Sequence, residues 1–243
     1  MNIIKLDAIA STNTYLREML TTCDLENFTT IVAENQFAGK GQRGTTWSSE
    51  AGSNLTFSVL MKSQPHTVAG VFDLNAMIAL CVATTLKKIT YLPFFIKWPN
   101  DILSANKKIC GILVENIIRA NGEIFSIVGI GVNVNQRHFP EGSKGSSLAL
   151  LTGEKKEKEA ILQALLDALK EGYDALEQGQ AEEQWEAYKA LLYRRDVVSS
   201  FEKPNGQRFN AIIRDVTPYG KLVVEVENQK NEEFDLKEIR LLY

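Results

Sequence analysis

Residues 107–135 read KKICGILVENIIRANGEIFSIVGIGVNVN, and this stretch decides the kind of sheet the chain builds. Two runs dense in Ile and Val are joined through Ala120-Asn121-Gly122-Glu123. Asn-Gly is a strong tight-turn signal, because such a turn needs positive φ at its central residues. The stretch therefore predicts two antiparallel strands. A parallel pair would need a crossover helix between them, and no helical period lies there.

Several residues inside the hairpin depart from a plain strand pattern. Gly111 removes a side chain early in the first strand, which allows a ligand or another backbone to come close. Gly129 and Gly131 share one face of the second strand, and Asn133 and Asn135 follow. Polar residues among Ile, Val and Gly need partners if they are buried. Lys107 and Lys108 stand at the start, just ahead of small and apolar residues. Either lysine could decorate a hairpin tip, but the apolar run beside Lys108 favours a cation facing a site.

Upstream, PFFIKW (93–98) is β-rich and ends at the turn triplet Pro99-Asn100-Asp101, so Lys97 and Asp101 flank a turn. NIIKL, TTIVAENQF (29–37) and NLTFSVLMK (54–62) read as strands. Ser11 or Thr12 caps a helix with Tyr15, Leu16, Met19 and Leu20 on its apolar side. Residues 68–90 have the composition of a mostly buried helix, and 155–178 form an amphipathic one carrying Ile161, Leu162, Leu165, Leu166, Leu169, Tyr173 and Leu176. A second helix, EEQWEAYKALL, follows. Beyond Arg195 come short alternating strands, with turns at Pro204-Asn205-Gly206, Pro218-Tyr219-Gly220 and 227–231, the pattern of a small barrel. We expect two domains, residues 1–195 and 196–243.

Between the second and third strands lies NQFAGKGQRGTTW (35–47), where Gly39, Gly41 and Gly44 spell G-x-G-x-x-G. A dinucleotide site would need the third glycine to open a helix. TTWSSEAGSN follows instead, without an apolar helical period, so that reading fails. A kinase glycine loop would need His-Arg-Asp and Asp-Phe-Gly, and neither His66 nor His138 heads such a motif. The remaining choices are a turn that glycines merely permit and a loop that wraps an anion. Lys40, Gln42 and Arg43 interleave with the glycines and favour the second. Such a loop should be loose alone and ordered around its ligand, with Trp47 as an apolar lid.

Bulk properties narrow the function classes. The chain of 243 residues has 44% hydrophobic and 23% charged residues and a net charge of −3, which argues against a dedicated nucleic-acid binder. Cys23, Cys81 and Cys110 are widely spaced, with no C-x-x-C, so neither a zinc cluster nor a disulfide frame is expected; reduced thiols fit a cytoplasmic protein. The N-terminus lacks a signal-peptide pattern and no run is long enough to cross a membrane. There is no G-x-S-x-G, H-E-x-x-H or Walker loop. Cations, amides and one carboxylate suit chemistry at a phosphate, where positioning and charge stabilisation dominate.

With these residues assembled, the chain resembles biotin–protein ligases. Four segments carry the resemblance in order: STNTYL (11–16), AENQFAGKGQRGTTW (33–47), KWPNDI…KKICGILVE (97–115) and GIGVNVN (129–135). It implies an α+β fold: a catalytic domain similar to class II aminoacyl-tRNA synthetases, with a mainly antiparallel mixed sheet, plus a C-terminal β-barrel of the Src-homology-three type. The implied activity is ATP-dependent ligation of biotin to a lysine of the biotin carrier domain of a carboxylase, through biotinyl-5′-adenylate, with Mg2+ assisting.

The resemblance also implies roles. Ser11, Thr12, Asn13 and Gln36 contact the biotin head. Gly39, Lys40, Gly41 and Gln42 belong to the loop over biotin and the adenylate phosphate, with Trp47 closing it, and Arg43 in the same loop is a catalytic candidate together with Lys108 and Asp101. Lys108 meets both biotin's carboxylate and the α-phosphate. Asp101 lies near metal or the incoming amine. Lys97 and Asn100 belong to the set that binds the substrates, with Gly111 at the biotin pocket and Asn133 near the phosphates. The family's loop commonly reads G-R-G-R-R-G-R, so Gln42 and Thr45 remove two positive charges, which predicts looser retention of the adenylate. The same resemblance implies no DNA partner, because the catalytic pattern starts by residue 3, and it leaves a homodimer open, since some members pair by sheet edges. Two other readings remain at this point: a lipoate–protein ligase of the same fold, and a non-catalytic protein that binds a small acid or nucleotide.

Overall fold

The computed structural model describes residues 1–63, 68–120, 122–227 and 230–243, with the backbone alone for Arg43, Ser63 and residues 68–71. His66, Asn121 and part of the expected 227–231 turn lie outside the described residues. In chain order the elements are β1 (Ile3–Ile9), α1 (Thr12–Thr22), β2 (Thr30–Gln36), β3 (Gly39–Lys40), β4 (Thr46–Trp47), β5 (Leu55–Ser63), α2 (Val68–Thr90), β6 (Phe95–Lys97), β7 (Asp101–Ser104), β8 (Lys107–Ile118) and β9 (Ile124–Val132). There follow α3 (Leu148–Thr152), α4 (Lys158–Glu177), α5 (Ala181–Ala190), β10 (Val198–Glu202), β11 (Arg208–Val216), β12 (Leu222–Val226), β13 (Lys230–Phe234) and β14 (Arg240–Leu242). Among the described residues, no helix is long and apolar enough to cross a membrane.

Strands β8 and β9 pair antiparallel from Cys110↔Val132 to Ile118↔Ile124, as the opening stretch predicts, and Gly122 takes φ +86° in the turn. They sit inside a seven-stranded sheet of order β1-β2-β5-β9-β8-β7-β6. The β1–β2 pair alone is parallel; the other neighbours are antiparallel.

Period-two alternation gives this sheet two different faces. Leu55, Phe57, Val59 and Met61 of β5, Cys110, Ile112 and Val114 of β8, and Val128, Ile130 and Val132 of β9 point to the side covered by α2 and α4. Ile161, Leu162, Leu165, Leu166 and Leu169 of α4, the expected apolar stripe, complete that core. On the opposite face α1 covers only one end, where Leu16 and Leu20 pack on Ile31, Leu60, Phe125 and Ile127. The rest of that face carries Thr56, Ser58, Gly111, Glu115, Gly129 and Gly131. Large apolar residues hold the sheet up from behind, and glycines and small polar residues leave a trough in front.

One irregularity matters for the trough. In β7–β8 the register shifts between Ile102 and Leu103, so Ile102 faces Cys110 while Leu103 faces Lys108. Ile109 is the extra residue of this bulge, and both Ile109 and Cys110 are fully buried in the helix-side core. Without the bulge, parity would send Lys108 into that core with Cys110. The extra residue turns Lys108 onto the face of Gly111.

The C-terminal strands form a five-stranded antiparallel sheet of order β13-β12-β11-β10-β14. Its turns fall at the predicted Pro204–Gly206 and Pro218–Gly220 segments, where Gly206 and Gly220 have φ of +83° and +86°. Phe201, Ile213, Val224 and Phe234 join the same apolar cluster as the large sheet. Trp98 donates from Nε1 to the Gly220 carbonyl at 3.0 Å.

Candidate active site

The trough is organised by one row across the strands. Thr56 pairs with Gly131, Gly131 with Gly111, Gly111 with Asp101, and Asp101 with Lys97. The next row places Ser58 opposite Gly129. Hydrogen bonding along the sheet thus sets the spacing between the glycine floor and the charged groups at its edge.

At one end sits the start of α1. Ser11 caps the helix by accepting from Thr14 N, and Ser11, Thr12 and Asn13 are all buried. Gln36, last residue of β2, accepts through Oε1 from the Thr12 amide at 2.9 Å and the Thr12 hydroxyl at 3.1 Å. The Ser58 hydroxyl reaches Thr12 Oγ1 at 2.7 Å and Asn13 Oδ1 at 2.6 Å. Asn13 donates from Nδ2 to Glu115 Oε2 at 2.7 Å, and Arg17 pairs with Glu115 Oε1 at 2.9 Å. A carboxylate only accepts, so Glu115 fixes which way the Asn13 amide faces. Gly129 makes room for it, since a Cβ there would lie 2.3 Å from Asn13 Oδ1. Ser58, Glu115 and Arg17 escape a reading of the sequence alone. Their only signal is parity: Glu115 lies four residues beyond Gly111 on the trough face, and Ser58 two beyond Thr56.

At the other end the hairpin β6–β7 brings charges together. Lys108 Nζ lies 2.6 Å from Asp101 Oδ1, and Lys97 Nζ lies 3.5 Å from Asp101 Oδ2. Asn100 ties this hairpin to β8, donating from Nδ2 to the Ile112 carbonyl at 2.5 Å, while Ile112 N donates to the Asn100 carbonyl at 3.0 Å. The backbone of Lys108 is held on both sides, by Lys144 O at 2.7 Å and Ser146 N at 3.0 Å. Cys110 lies directly beneath; burial pushes its thiol far above the ordinary range, which removes it as a nucleophile.

The glycine-rich segment closes over the trough as a miniature hairpin. Gly39 pairs with Trp47 and Lys40 with Thr46 around a 3-10 turn at Gln42–Gly44, where Gly44 has φ +83°. The Trp47 indole rests on the glycine floor. A Cβ on Gly131 would come within 2.4 Å of the ring and one on Gly111 within 3.0 Å. Lys108 Nζ stands 5.5 Å from the ring centroid, a cation–π distance.

Together these groups line a cavity of about 490 Å3 that continues under Phe201, Ile213, Leu222 and Leu241 of the C-terminal sheet. Of the residues expected from the sequence, Ser11, Thr12, Asn13, Gln36, Lys40, Gly41, Gln42, Trp47, Lys97, Asn100, Asp101, Lys108 and Gly111 line it. Gly39 does not; it packs against the Trp47 carbonyl and Gln36 Nε2, and so supports the flap from behind. Asn133 does not either. It is buried, with Nδ2 donating to the Ser146 carbonyl at 3.0 Å and to the Lys108 carbonyl at 3.5 Å, and clamps the Lys108 backbone. The Arg43 side chain lies outside the described residues.

A resident Mg2+ ion does not fit these side chains. Among the described residues no three His, Cys, Asp or Glu groups converge, and both Asp101 oxygens face ammonium groups.

Known proteins share both the sequence pattern and the fold. Residues 6–135 match the Biotin/lipoate A/B protein ligase family. The bifunctional ligase/repressor BirA of Salmonella typhimurium is 33% identical over 140 residues, 58% of this chain and 43% of that protein. The chain thus spans less than half the length of that relative. The biotin–[acetyl-CoA-carboxylase] ligase of Mycobacterium tuberculosis is 26% identical over 230 residues, 91% of this chain and 84% of that one. The structure of biotin protein ligase from Aquifex aeolicus in complex with biotin and ATP superposes with a TM-score of 0.81 at 26% identity, covering 99% of this chain and 98% of that one.

Proposed function

This chain belongs to the Biotin/lipoate A/B protein ligase family, and we propose that it joins biotin to a lysine of the biotin carrier domain of a carboxylase, using ATP in two steps. Residues 1–195 carry the chemistry in this reading, residues 196–243 roof the cavity, and the protein acts in the cytoplasm.

Biotin lies along the trough with its ureido ring among Ser11, Thr12, Asn13 and Gln36 and its carboxylate at Lys108. In the first step a carboxylate oxygen attacks the α-phosphorus of ATP, the bond to the β-phosphate oxygen breaks, and pyrophosphate leaves with the electron pair. Two anions must approach each other, and the Lys108 ammonium between them lowers that barrier. Asp101 holds Lys108 in place before the substrates arrive. In the second step the neutral amine of the carrier lysine attacks the acyl carbon of the mixed anhydride. An amide forms, AMP leaves, and the amine proton is lost to solvent or to Asp101.

The single observation that carries this reading is the placement of Lys108. A bulge turns it out of the core, a two-sided backbone clamp fixes it, and it faces a glycine trough that ends in a polar pocket. The polar pocket also favours biotin over lipoate. A pocket lined with hydrogen-bonding groups disfavours a ligand that buries them without bonding to them, and a dithiolane offers far less than a ureido ring. Incubating the protein with ATP, magnesium, a biotin carrier domain and either labelled biotin or labelled lipoate tests the reading. Biotin should enter the carrier. Lipoate incorporation instead would move the chain to the other branch, and incorporation of neither would leave a binding protein.

A further inference from the structure

One buried amide outside the cavity joins the two halves of the site, the flap and the Lys108 clamp. Gln136 comes just after β9, is buried, and does not line the cavity. Its side-chain oxygen accepts from two groups in the stem that connects the flap to β5, the Glu50 amide at 3.3 Å and Asn54 Nδ2 at 2.5 Å. Its Nε2 donates at 2.7 Å to the His138 carbonyl, in the loop that leads to the Lys108 clamp. Its main-chain carbonyl accepts from the Ser147 hydroxyl at 2.6 Å. Ser147 follows Ser146, whose amide donates to the Lys108 carbonyl at 3.0 Å.

Both partners of Gln136 are themselves tightly stitched. In the stem, Ser53 N donates to the Glu50 carbonyl at 3.2 Å, Gly52 N to the Glu34 carbonyl at 2.9 Å, and Asn135 N to the Ser53 carbonyl at 2.8 Å. Asn54 Oδ1 accepts from Val134 N at 3.0 Å, so both ends of that amide are committed. On the loop side, Ser147 Oγ also caps α3 by accepting from Leu150 N at 3.2 Å. Gly145 lets the loop close on itself, since a Cβ there would lie 2.9 Å from the Phe139 ring. Glu50 stands three residues beyond Trp47, and Ser146 bonds to Lys108 directly. A short route therefore runs from the indole lid to the residue that carries the ammonium, and the Gln136 side chain is its middle link. Buried polar groups whose bonds join separate segments fix those segments relative to each other.

We propose that Gln136 is a positioning residue for adenylate formation: it holds the base of the Trp47 flap and the Lys108 clamp in one fixed relation, so that the flap closes over substrates already aligned with the ammonium. The proposal rests on the functional reading above, since it assigns a cause to the alignment that the first step needs. It also accounts for the polar run after an apolar strand. Asn133 and Gln136 serve the clamp, while the backbone of Asn135 and the side chain of Gln136 serve the stem.

The test compares wild type with Gln136→Glu in the full chain. The carboxylate keeps an acceptor for the stem but cannot donate to the His138 carbonyl. Single-turnover formation of biotinyl-adenylate should slow about tenfold, the scale of one buried hydrogen bond. The biotin concentration at half-maximal rate should move less than about twofold, the sign of a group that acts on the reacting geometry and not on binding. Hydrogen exchange of the unliganded chain should rise at 107–109 and 143–147 and stay at the wild-type level in β5 and β9. Gln136→Met, which keeps the length and removes both polar atoms, should slow adenylate formation further; if that chain does not fold, Gln136→Glu alone decides. A Gln136→Glu rate equal to wild type, or a fall matched by an equal rise in the biotin requirement, refutes the positioning role and leaves the functional reading standing. A wild-type chain that forms no biotinyl-adenylate overturns the functional reading, and the role with it.

Discussion

The two ends of the cavity are built on opposite principles. At the α1 end, Thr12, Asn13, Gln36, Ser58 and Glu115 are joined in one hydrogen-bonded network among mostly buried groups. At the hairpin end, Lys97, Lys107, Lys108, Lys144 and Arg240 outnumber their carboxylate partners and stand at or near solvent. A satisfied buried network specifies shape and hydrogen-bonding pattern, because any ligand that fails to match leaves a polar group unpaired. A cluster in which cations outnumber carboxylates specifies charge and favours an anion. Recognition and reactivity are therefore separable along a single trough, and substitutions at the two ends should separate them.

The largest effect belongs to the charged end. Lys108→Ala should lower the rate of biotinyl-adenylate formation by about 100- to 1000-fold, the scale of losing one preorganised charge-stabilising donor. Single-turnover measurement of adenylate from ATP and biotin checks this; an unaltered rate would remove the role assigned to that ammonium. At the polar end, Gly129→Ala drives a methyl group into Asn13 Oδ1. Overpacking of about 1–3 kcal/mol should raise the Michaelis constant for biotin by about ten- to hundredfold and leave that for ATP nearly untouched. Equal shifts for both substrates would blur the division between the ends.

Two smaller substitutions sharpen it. Gln42→Arg adds a cation to the flap and should slow release of biotinyl-adenylate by about fivefold, because a guanidinium holds a phosphate more strongly than an amide. Equal release rates, measured by trapping the freed adenylate, would contradict this. Glu115→Gln lets the amide at 115 offer a donor where Asn13 needs an acceptor. Since the pair with Arg17 is partly exposed, the rise in the Michaelis constant for biotin should be only about threefold. A change in the ATP constant instead would show that Glu115 acts elsewhere.

Much of this architecture is legible in the sequence, and the exceptions have physical causes. The β8–β9 hairpin is readable because two apolar runs meet at Asn121-Gly122, and the α4 stripe because leucines recur at helical spacing. Gly111, Gly129 and Gly131 announce close approach, but not what approaches; in the structure an indole from a distant loop settles over two of them. The bulge at Ile109 leaves no mark in composition, so parity alone would misplace Lys108. Ser58 and Glu115 look like ordinary strand residues until register sets them beside Asn13. Asn133 shows the reverse case. Its resemblance to a phosphate-side residue is clear in the sequence, yet its amide is spent on the carbonyls of Ser146 and Lys108.

A crystal structure of the protein with biotin and a non-hydrolysable ATP analogue measures the central arrangement directly. Lys108 Nζ should stand within about 3 Å of both a biotin carboxylate oxygen and an α-phosphate oxygen, the separation of charge-assisted hydrogen bonds. A nucleotide bound with its α-phosphate away from that ammonium would contradict the account.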